Sequence, residues 1–465
     1  MQDEIFSTQL FSIKYLGACR MCCKELAPLL QLPDSCLVAV LRCCAGDTHS
    51  VCRAARAHSR LHQAAVQALS SITLVTDQQQ RLDDLQLYLS QHGRHVSSLN
   101  LRAPGHVWRV ALWELPRSLQ LSSLTCENVH LQLLPGYGYQ GVLRGGAAPP
   151  LKQLRLKQCR PIDEPTAVSA ALAQLTDLEH LSISEYGSSG REFLVLHALQ
   201  HLTFLELDVF ILGNPAVQCL SALTRLVDLR LQTHNTYSVS ANTMSGLQRL
   251  TRLQLATSDR YGTDHGHVSV EPAALSGKTG LQHLELCKGR IAYGAAGEGQ
   301  LLAHVGELQQ LAYLSLCDSL IHHAAPPGSD NSAAAYSALT ASSKLQHLNI
   351  ECCMPAQAWE HMLPAGKQLP HLRTLYASCL PDITHLASCC PGLQSVRVGR
   401  GAVRNLQELV ALASSSGRHG LVLGDSGSSA AWRGQRTGVA AGGRRAAAGA
   451  GGAPGFGHIL EAMLD

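Results

Sequence analysis

With 465 residues, a net charge of +3 and only 15% charged side chains, the chain is long, sparsely charged and nearly balanced, which speaks against a polyanionic partner. Aromatic residues make up 5%, too few for a stacking surface on single-stranded nucleic acid. No stretch approaches the roughly 18 uninterrupted apolar residues of a membrane span, and MQDEIFSTQLFSIKY places acids before its first base, unlike a signal or transit peptide. A cytoplasmic or nuclear chain is expected, and its 17 cysteines then read as reduced thiols.

Residues 1–30 read as an amphipathic helical extension. Cys19, Cys22 and Cys23, with Cys36, Cys43, Cys44 or Cys52, invite a zinc reading, but the spacings are irregular and no second Cys-x-x-Cys follows. Small apolar thiols packing between helices account for them better, so no metal is expected. In LPDSCLVAVLRCC, Leu37, Val40, Leu41 and Cys44 fall on one face of a short helix, with Pro33 just inside its start, where a missing N–H costs nothing. An alanine-rich helical stretch with Leu61, Ala65 and Leu69 follows, and SSITL reads as a first strand.

The segment 31–74 resembles an F-box, on Leu32-Pro33-Asp34, the Leu37/Val40/Leu41 helix, and Val51-Cys52-Arg53 leading to Arg56 and Leu61. The family usually carries a tryptophan where His58 stands here. That resemblance implies docking of a Skp-type adaptor of a cullin complex through Leu32, Pro33, Leu37, Val40 and Leu41. A helical cap over the first repeat, which a solenoid needs in any case, is the alternative.

From Gln78 to Gly93 an amphipathic helix is expected, with Leu82, Leu85 and Leu89 on one face. Beyond it one phrase, leucine-x-x-leucine-x-leucine, recurs. Strong copies are Leu151/Leu154/Leu156, Leu202/Leu205/Leu207, Leu226/Leu229/Leu231, Leu250/Leu253/Leu255, Leu281/Leu284/Leu286 and Leu311/Leu314/Leu316, with aliphatic variants between and beyond. From Val96 to Leu393 the twelve first positions lie 21 to 34 residues apart. This pattern is identified as that of leucine-rich repeats. Residues 75–424 are therefore expected to form an α/β solenoid, with a curved parallel sheet inside and helices outside.

The last two leucines of each phrase are two apart and share one face of a strand, so the residues between and beside them face the other way. Stretches such as LHALQHL and CLSALTRL, with leucines at three- and four-residue spacing, would close the outer side. The inner face then carries a central column: Asn100, Thr125, Arg155, Ser182, Glu206, Arg230, Gln254, Glu285, Ser315, Asn349, Tyr376 and Arg397. Lys157, Phe204, Asp208, His283, Tyr313 and His347 stand in the columns beside it. Mixed charge with arginine and tyrosine is the composition of a protein-binding surface, and the expected anchors are Arg155, Phe204, Arg230, Tyr313 and Tyr376. A uniformly basic column would have pointed to nucleic acid.

Insertions at 134–150, 257–280 and 318–344 read as loops at one edge. Leu406, Leu409, Val410 and Leu412 suggest a closing helix, Leu421-Val422-Leu423 a last strand, and 425–465 a disordered Gly/Ala/Arg-rich tail. Gly136-x-Gly138-x-x-Gly141 matches a dinucleotide fingerprint in letters only, since Gly145, Gly146 and Pro149-Pro150 follow where a helix is required. Asp264, His265, His267, His322 and His323 sit on glycine-rich loops without rigid ligand spacing. No cofactor and no catalysis are expected. Function should lie in holding a protein substrate, either as the recognition subunit of a cullin-type ubiquitin ligase or as a stand-alone scaffold.

Overall fold

The computed structural model describes residues 30–43, 58–68, 70–76, 85, 89, 93–103, 108–111, 120–132, 150–161, 172–186, 196–258, 267–287, 289–291, 297–317, 335–351, 354, 356–378, 386–398 and 422–425. The chain divides into two compact units, Met1–Gly424 and Asp425–Asp465. The amino-terminal extension, the glycine fingerprint, the closing helix at 406–412, Cys353 and the expected disordered tail beyond Asp425 lie outside the described residues.

Among the described residues fourteen strands form one sheet, adjacent in chain order. They are β1 (Ser71–Val75), β2 (Ser98–Arg102), β3 (Ser123–Glu127), β4 (Gln153–Lys157), β5 (His180–Tyr186), β6 (Phe204–Val209) and β7 (Asp228–Thr233), then β8 (Arg252–Thr257), β9 (His283–Cys287), β10 (Tyr313–Cys317), β11 (His347–Glu351), β12 (Thr374–Ala377), β13 (Ser395–Val398) and β14 (Val422–Asp425). Each repeat phrase is one rung, and the flanking strands at Ile72/Leu74 and at 422–425 complete the ladder. At about 4.8 Å per neighbour the sheet is roughly 60 Å long. The pairings recorded from β1 to β13 are parallel and place equal phrase positions side by side: Asn100 beside Thr125, Arg155 beside Ser182, Glu206 beside Arg230, Glu285 beside Ser315, Tyr376 beside Arg397.

The register follows from burial. A slip of one residue would turn every leucine to the inner face, whereas Leu154, Leu205, Leu229, Leu284 and Leu314, with their partners two residues on, sit in one continuous core. Just before each rung the ladder continues through carbonyls that each accept two successive N–H groups: Thr203 and Phe204 donate to the Glu179 carbonyl at 2.8 and 3.2 Å, Val227 and Asp228 to Thr203 at 2.8 and 3.1 Å, and Thr251 and Arg252 to Val227 at 2.9 and 3.1 Å. Hydroxyls at this position reinforce the link, as where Thr203 Oγ1 donates to the Glu179 carbonyl at 3.0 Å.

The outer side carries the expected helices as short pieces: the α-helices Asn214–Gln218 and Ala356–Met362, and the 3₁₀ turns Leu196–Ala198 and Cys219–Ala222. Leu199 donates to Leu196 and Leu202 to Leu199, then Leu223 to Leu220 and Leu226 to Leu223, each across three residues. The leucines of LHALQHL and CLSALTRL recur at intervals of three, and in a 3₁₀ turn residues three apart eclipse one another, so all of them point inward. Among the described residues of the solenoid the longest helix is Gly297–Gly306, of ten residues.

Two three-stranded parallel sheets lie beside the main one. They comprise Trp108–Ala111, Val129–Gln132 and Arg160–Pro161, and Tyr237–Val239, Val268–Val270 and Gly289–Ile291. In the first, the chain leaves β3 and β4 through Asn128 (φ 58°) and Gln158 (φ 53°), left-handed residues at the same repeat position. The expected loop at 257–280 therefore contains a strand, followed by a 3₁₀ turn at Pro272–Leu275.

Cys159 holds the turn after β4, as its place three residues past Leu156 suggests, with its thiol 3.3 Å from the Cys126 carbonyl and 3.4 Å from that of Lys157. Burial pushes the Cys126 thiol well above its usual pKa and that of Cys159 up to about 11. The thiolate is the reacting form, so iodoacetamide at pH 7.5 is expected to label Cys43, which is exposed, and to spare Cys126 and Cys159 until the chain unfolds. Peptide mass mapping checks this; equal labelling of all three in the folded protein would contradict it.

Ahead of β1, helices α1 (Asp34–Cys43) and α2 (Ser59–Ala68) pack on each other. Leu37, Val38, Val40, Leu41, Leu61, Ala64, Ala65 and Ala68 form a cluster distinct from the solenoid core. Arg60 ties the pair together: its Nε lies 3.1 Å from Asp34 Oδ1, one Nη donates to the Leu32 carbonyl at 3.0 Å, and the other reaches the Leu30 carbonyl.

Candidate functional site

The inner face is built by alternation. On every rung the residues on either side of the phrase's middle leucine, and the one after its last leucine, point away from the core, so a side chain meets its counterparts on the rungs above and below at about 4.8 Å. In the column one step before the centre, β5 to β12 contribute His180, Phe204, Asp228, Arg252, His283, Tyr313, His347 and Thr374.

Four of these make two ring stacks. His180 lies on Phe204 with centroids 3.9 Å apart and an interplanar angle of 4°. His283 lies on Tyr313 at 3.9 Å and 8°, and His347 tilts against the other side of Tyr313 at 5.8 Å. Phe204 is gripped from a second direction by Arg230, whose guanidinium carbon is 4.9 Å from the ring centroid, a cation–π contact. Arg230 is fixed in turn by Asp228, through Nε at 3.1 Å and Nη2 at 2.7 Å, with Glu206 3.9 Å away. Ser182 donates to Glu206 at 2.6 Å. Arg155 Nη2 reaches His180 Nε2 at 3.5 Å.

Three of the expected anchors, Arg155, Phe204 and Arg230, thus meet in one cluster on β4 to β7. Tyr313 belongs to a second cluster on β9 to β11. Tyr376 stands in the central column on the next rung, between Asn349 and Arg397. Sequence reasoning did not single out His180, Asp228 or Arg252. Their spacing from the phrase was the available signal, because each precedes a middle leucine by one residue.

The second cluster carries buried polar atoms without hydrogen-bond partners. His283 Nε2 and Arg252 Nε, on register-paired residues, are buried and make no hydrogen bond, nor does Asn349 Oδ1. Glu285, itself buried, lies 3.6 Å from His283 Nε2, too far for a hydrogen bond. Its other oxygen is 3.5 Å from the Cys287 thiol. That thiol, hydrogen-bonded to Cys317 and buried beside Glu285, is held well above the usual thiol pKa, the opposite of an activated nucleophile.

Burial depresses the imidazole pKa of His180, His283 and His347 below the usual value, with Arg155, Arg252 and Arg373 respectively opposing their protonation; Glu285 partly counteracts this at His283. The unfolded chain therefore binds more protons than the folded one just below the ordinary histidine pKa, and stability rises with pH there. Thermal midpoints are expected to fall as pH drops from 7.5 towards 5.5, with up to about three protons taken up per unfolding event. His283→Gln should flatten the profile. A profile indifferent to pH over that window would refute the assignment.

Of the five adaptor residues expected from the F-box resemblance, three lie in the core of the helix pair and two nearer its surface. Leu37, Val40 and Leu41 are 0%, 2% and 2% exposed inside the α1–α2 cluster. Their apolar face is spent on α2, so the structure gives them a packing role. Leu32 is half-buried and Pro33 is exposed, just ahead of α1. Among the described residues no three His, Cys, Asp or Glu side chains converge as a metal site, and no helix is long and apolar enough to cross a membrane.

No family model matches the chain, and no curated protein matches it in sequence. Among solved structures it is similar to TLR13 in its crystal complex with ssRNA13, at 16% identity and a TM-score of 0.43, covering 73% of this chain and 48% of that one. It is also similar to PEPR1 with AtPEP1, at 13% identity and a TM-score of 0.40 over 76% of this chain and 48% of that one. A third is mouse RP105 with MD-1, at 13% identity and a TM-score of 0.37 over 71% of this chain and 51% of that one. The chain spans about half the length of these proteins, and likeness at this level carries no argument about what it binds. The repeated phrase and the parallel ladder in register stand on their own: the fold is a leucine-rich-repeat solenoid.

Proposed function

We propose that the protein is a binding scaffold whose inner face docks a protein segment, with Phe204 and Tyr313 as its principal anchors. The observation that carries this reading is the pair of ring stacks, rigid and half-buried, held on neighbouring rungs of one sheet. Aromatic and arginine side chains already fixed by neighbours lose little entropy when a partner covers them. The chain then contributes proximity and orientation while any chemistry belongs to its partners, and its working compartment is the cytoplasm or nucleus. The test compares the full chain with a Phe204→Ala, Tyr313→Ala double variant in pull-downs. A partner held by the parent and released by the variant supports the reading; partners retained equally by both overturn it.

The finer role we propose is that of a receptor subunit in a cullin-type ubiquitin ligase, with residues 32–69 meeting a Skp-type adaptor. It is supported by the separate core of the α1–α2 pair, since a simple cap would share the core of the first rung. Leu32 and Pro33 are the expected side chains left to make that contact. Co-purification of the full chain with the adaptor, weakened by Pro33→Asp, is the expected result. A folded chain that ignores the adaptor leaves the stand-alone scaffold.

A further inference from the structure

The two clusters share a plan that the individual contacts hide. In the first, Arg155 on β4 stands against His180 on β5, which stacks on Phe204 on β6. In the second, Arg252 on β8 is register-paired with His283 on β9, which stacks on Tyr313 on β10. Each is an arginine, an imidazole and an aromatic ring on three consecutive rungs. Four rungs separate one arginine from the other.

These two guanidiniums differ from their neighbours in charge pairing. Arg102 is paired with Glu127, and Arg230 with Asp228 and Glu206. Among the described residues neither Arg155 nor Arg252 has a carboxylate within ion-pair distance. Arg252 is half-buried, its Nε has no acceptor, and Asp228 beside it is occupied by Arg230. A half-buried guanidinium with unmet donors is an unsatisfied position for an anion, and its planar fork favours a carboxylate.

Building on the reading of the inner face as a docking surface, we propose that the face recognises an extended acidic segment whose two carboxylate side chains, six residues apart, pair with Arg155 and Arg252. Four rungs at about 4.8 Å, with the step of two residues between the two columns, put the arginines about 20 Å apart along the diagonal. An extended chain advances about 3.3–3.4 Å per residue, so six residues span that distance, and an even count keeps both side chains on the face that meets the sheet. Between the two anchors, the Phe204 and Arg230 cluster is already charge-paired and offers rings and stems to the segment's remaining side chains. The occupant is therefore acidic at two fixed points rather than along its whole length.

The experiment selects random displayed dodecapeptides on the immobilised full-length chain, then measures binding of the enriched peptides by fluorescence anisotropy. Expected is enrichment of Asp or Glu pairs at a spacing of six. Arg155→Gln and Arg252→Gln should each weaken such a peptide about tenfold, and each loss should vanish when the matching peptide carboxylate is already an amide. Circular dichroism confirms that both variants fold. Peptides that depend on Phe204 and Tyr313 but carry no spaced acids, or that ignore both arginines, overturn this proposal and leave the docking face standing. Failure to enrich any peptide sensitive to the inner-face rings overturns both.

Discussion

Replacing Gly246 by alanine is expected to destabilise the solenoid by about 3 kcal/mol or more, among the largest effects of any single methyl group in the chain. Gly246 follows the helix Ala241–Ser245 on the outer side, where the segment between β7 and β8 lies on the segment between β6 and β7. A Cβ on Gly246 would sit 1.8 Å from the Ser221 carbonyl oxygen and 2.8 Å from its carbon. Neither atom can turn away as a side chain could, because Ser221 lies in the 3₁₀ turn Cys219–Ala222. The backbone φ of −75° is ordinary, so the demand for glycine here comes from close approach rather than conformation. Gly280 supplies the control, since its nearest neighbour to a new Cβ is the Leu250 carbonyl oxygen at 4.0 Å. Urea denaturation of Gly246→Ala beside Gly280→Ala separates the two cases. Equal midpoints for both variants would show that the outer segments slide apart without cost.

That contact illustrates where the sequence could be read and where it could not. The inner face was legible because a strand has a period of two and the phrase repeats. Once Leu229 and Leu253 are known to be buried, Arg230 and Gln254 must be neighbours, and the recorded register places them so. The candidate anchors were accordingly assigned to the right face, while their grouping into two clusters needed the rung-to-rung geometry. His180 and Phe204 are 24 residues apart in sequence, and only the fixed register makes their rings meet.

On the outer side the pattern gave helical turns but not their type. Leucines three apart fit one face of a short helix as well as a run of 3₁₀ turns, and periodicity over seven residues does not separate these. The side sheets were illegible for another reason. Strands of two to four residues, such as Arg160–Pro161 and Val268–Val270, are too short to show alternation. The α1–α2 helix was recognised, but an apolar face at helical spacing says only that something covers it. Here α2 covers Leu37, Val40 and Leu41.

Leu229→Ala should cost on the order of 2–5 kcal/mol, and the form of the loss is more informative than its size. Leu229 is fully buried on β7, the seventh of fourteen rungs, between Leu205 and Leu253 on the rungs beside it. A solenoid has no contacts between distant repeats, so its stability is close to a sum of rung terms and nearest-neighbour interfaces. A cavity at a central rung weakens the rung and both of its interfaces at once. Unfolding can then begin in the middle, leaving rungs on either side to melt separately. The parent chain should unfold in one urea transition at the level of the β-sheet signal, and Leu229→Ala should show two, with hydrogen exchange accelerated first on β6 to β8. Ile72→Ala on β1, at the end of the ladder, removes a comparable group but touches one interface, and it should lower the midpoint modestly without splitting the transition. If the central and terminal variants lost the same stability in a single transition, the coupling between rungs would be long-ranged, and the picture of a ladder joined only by its neighbours would fail.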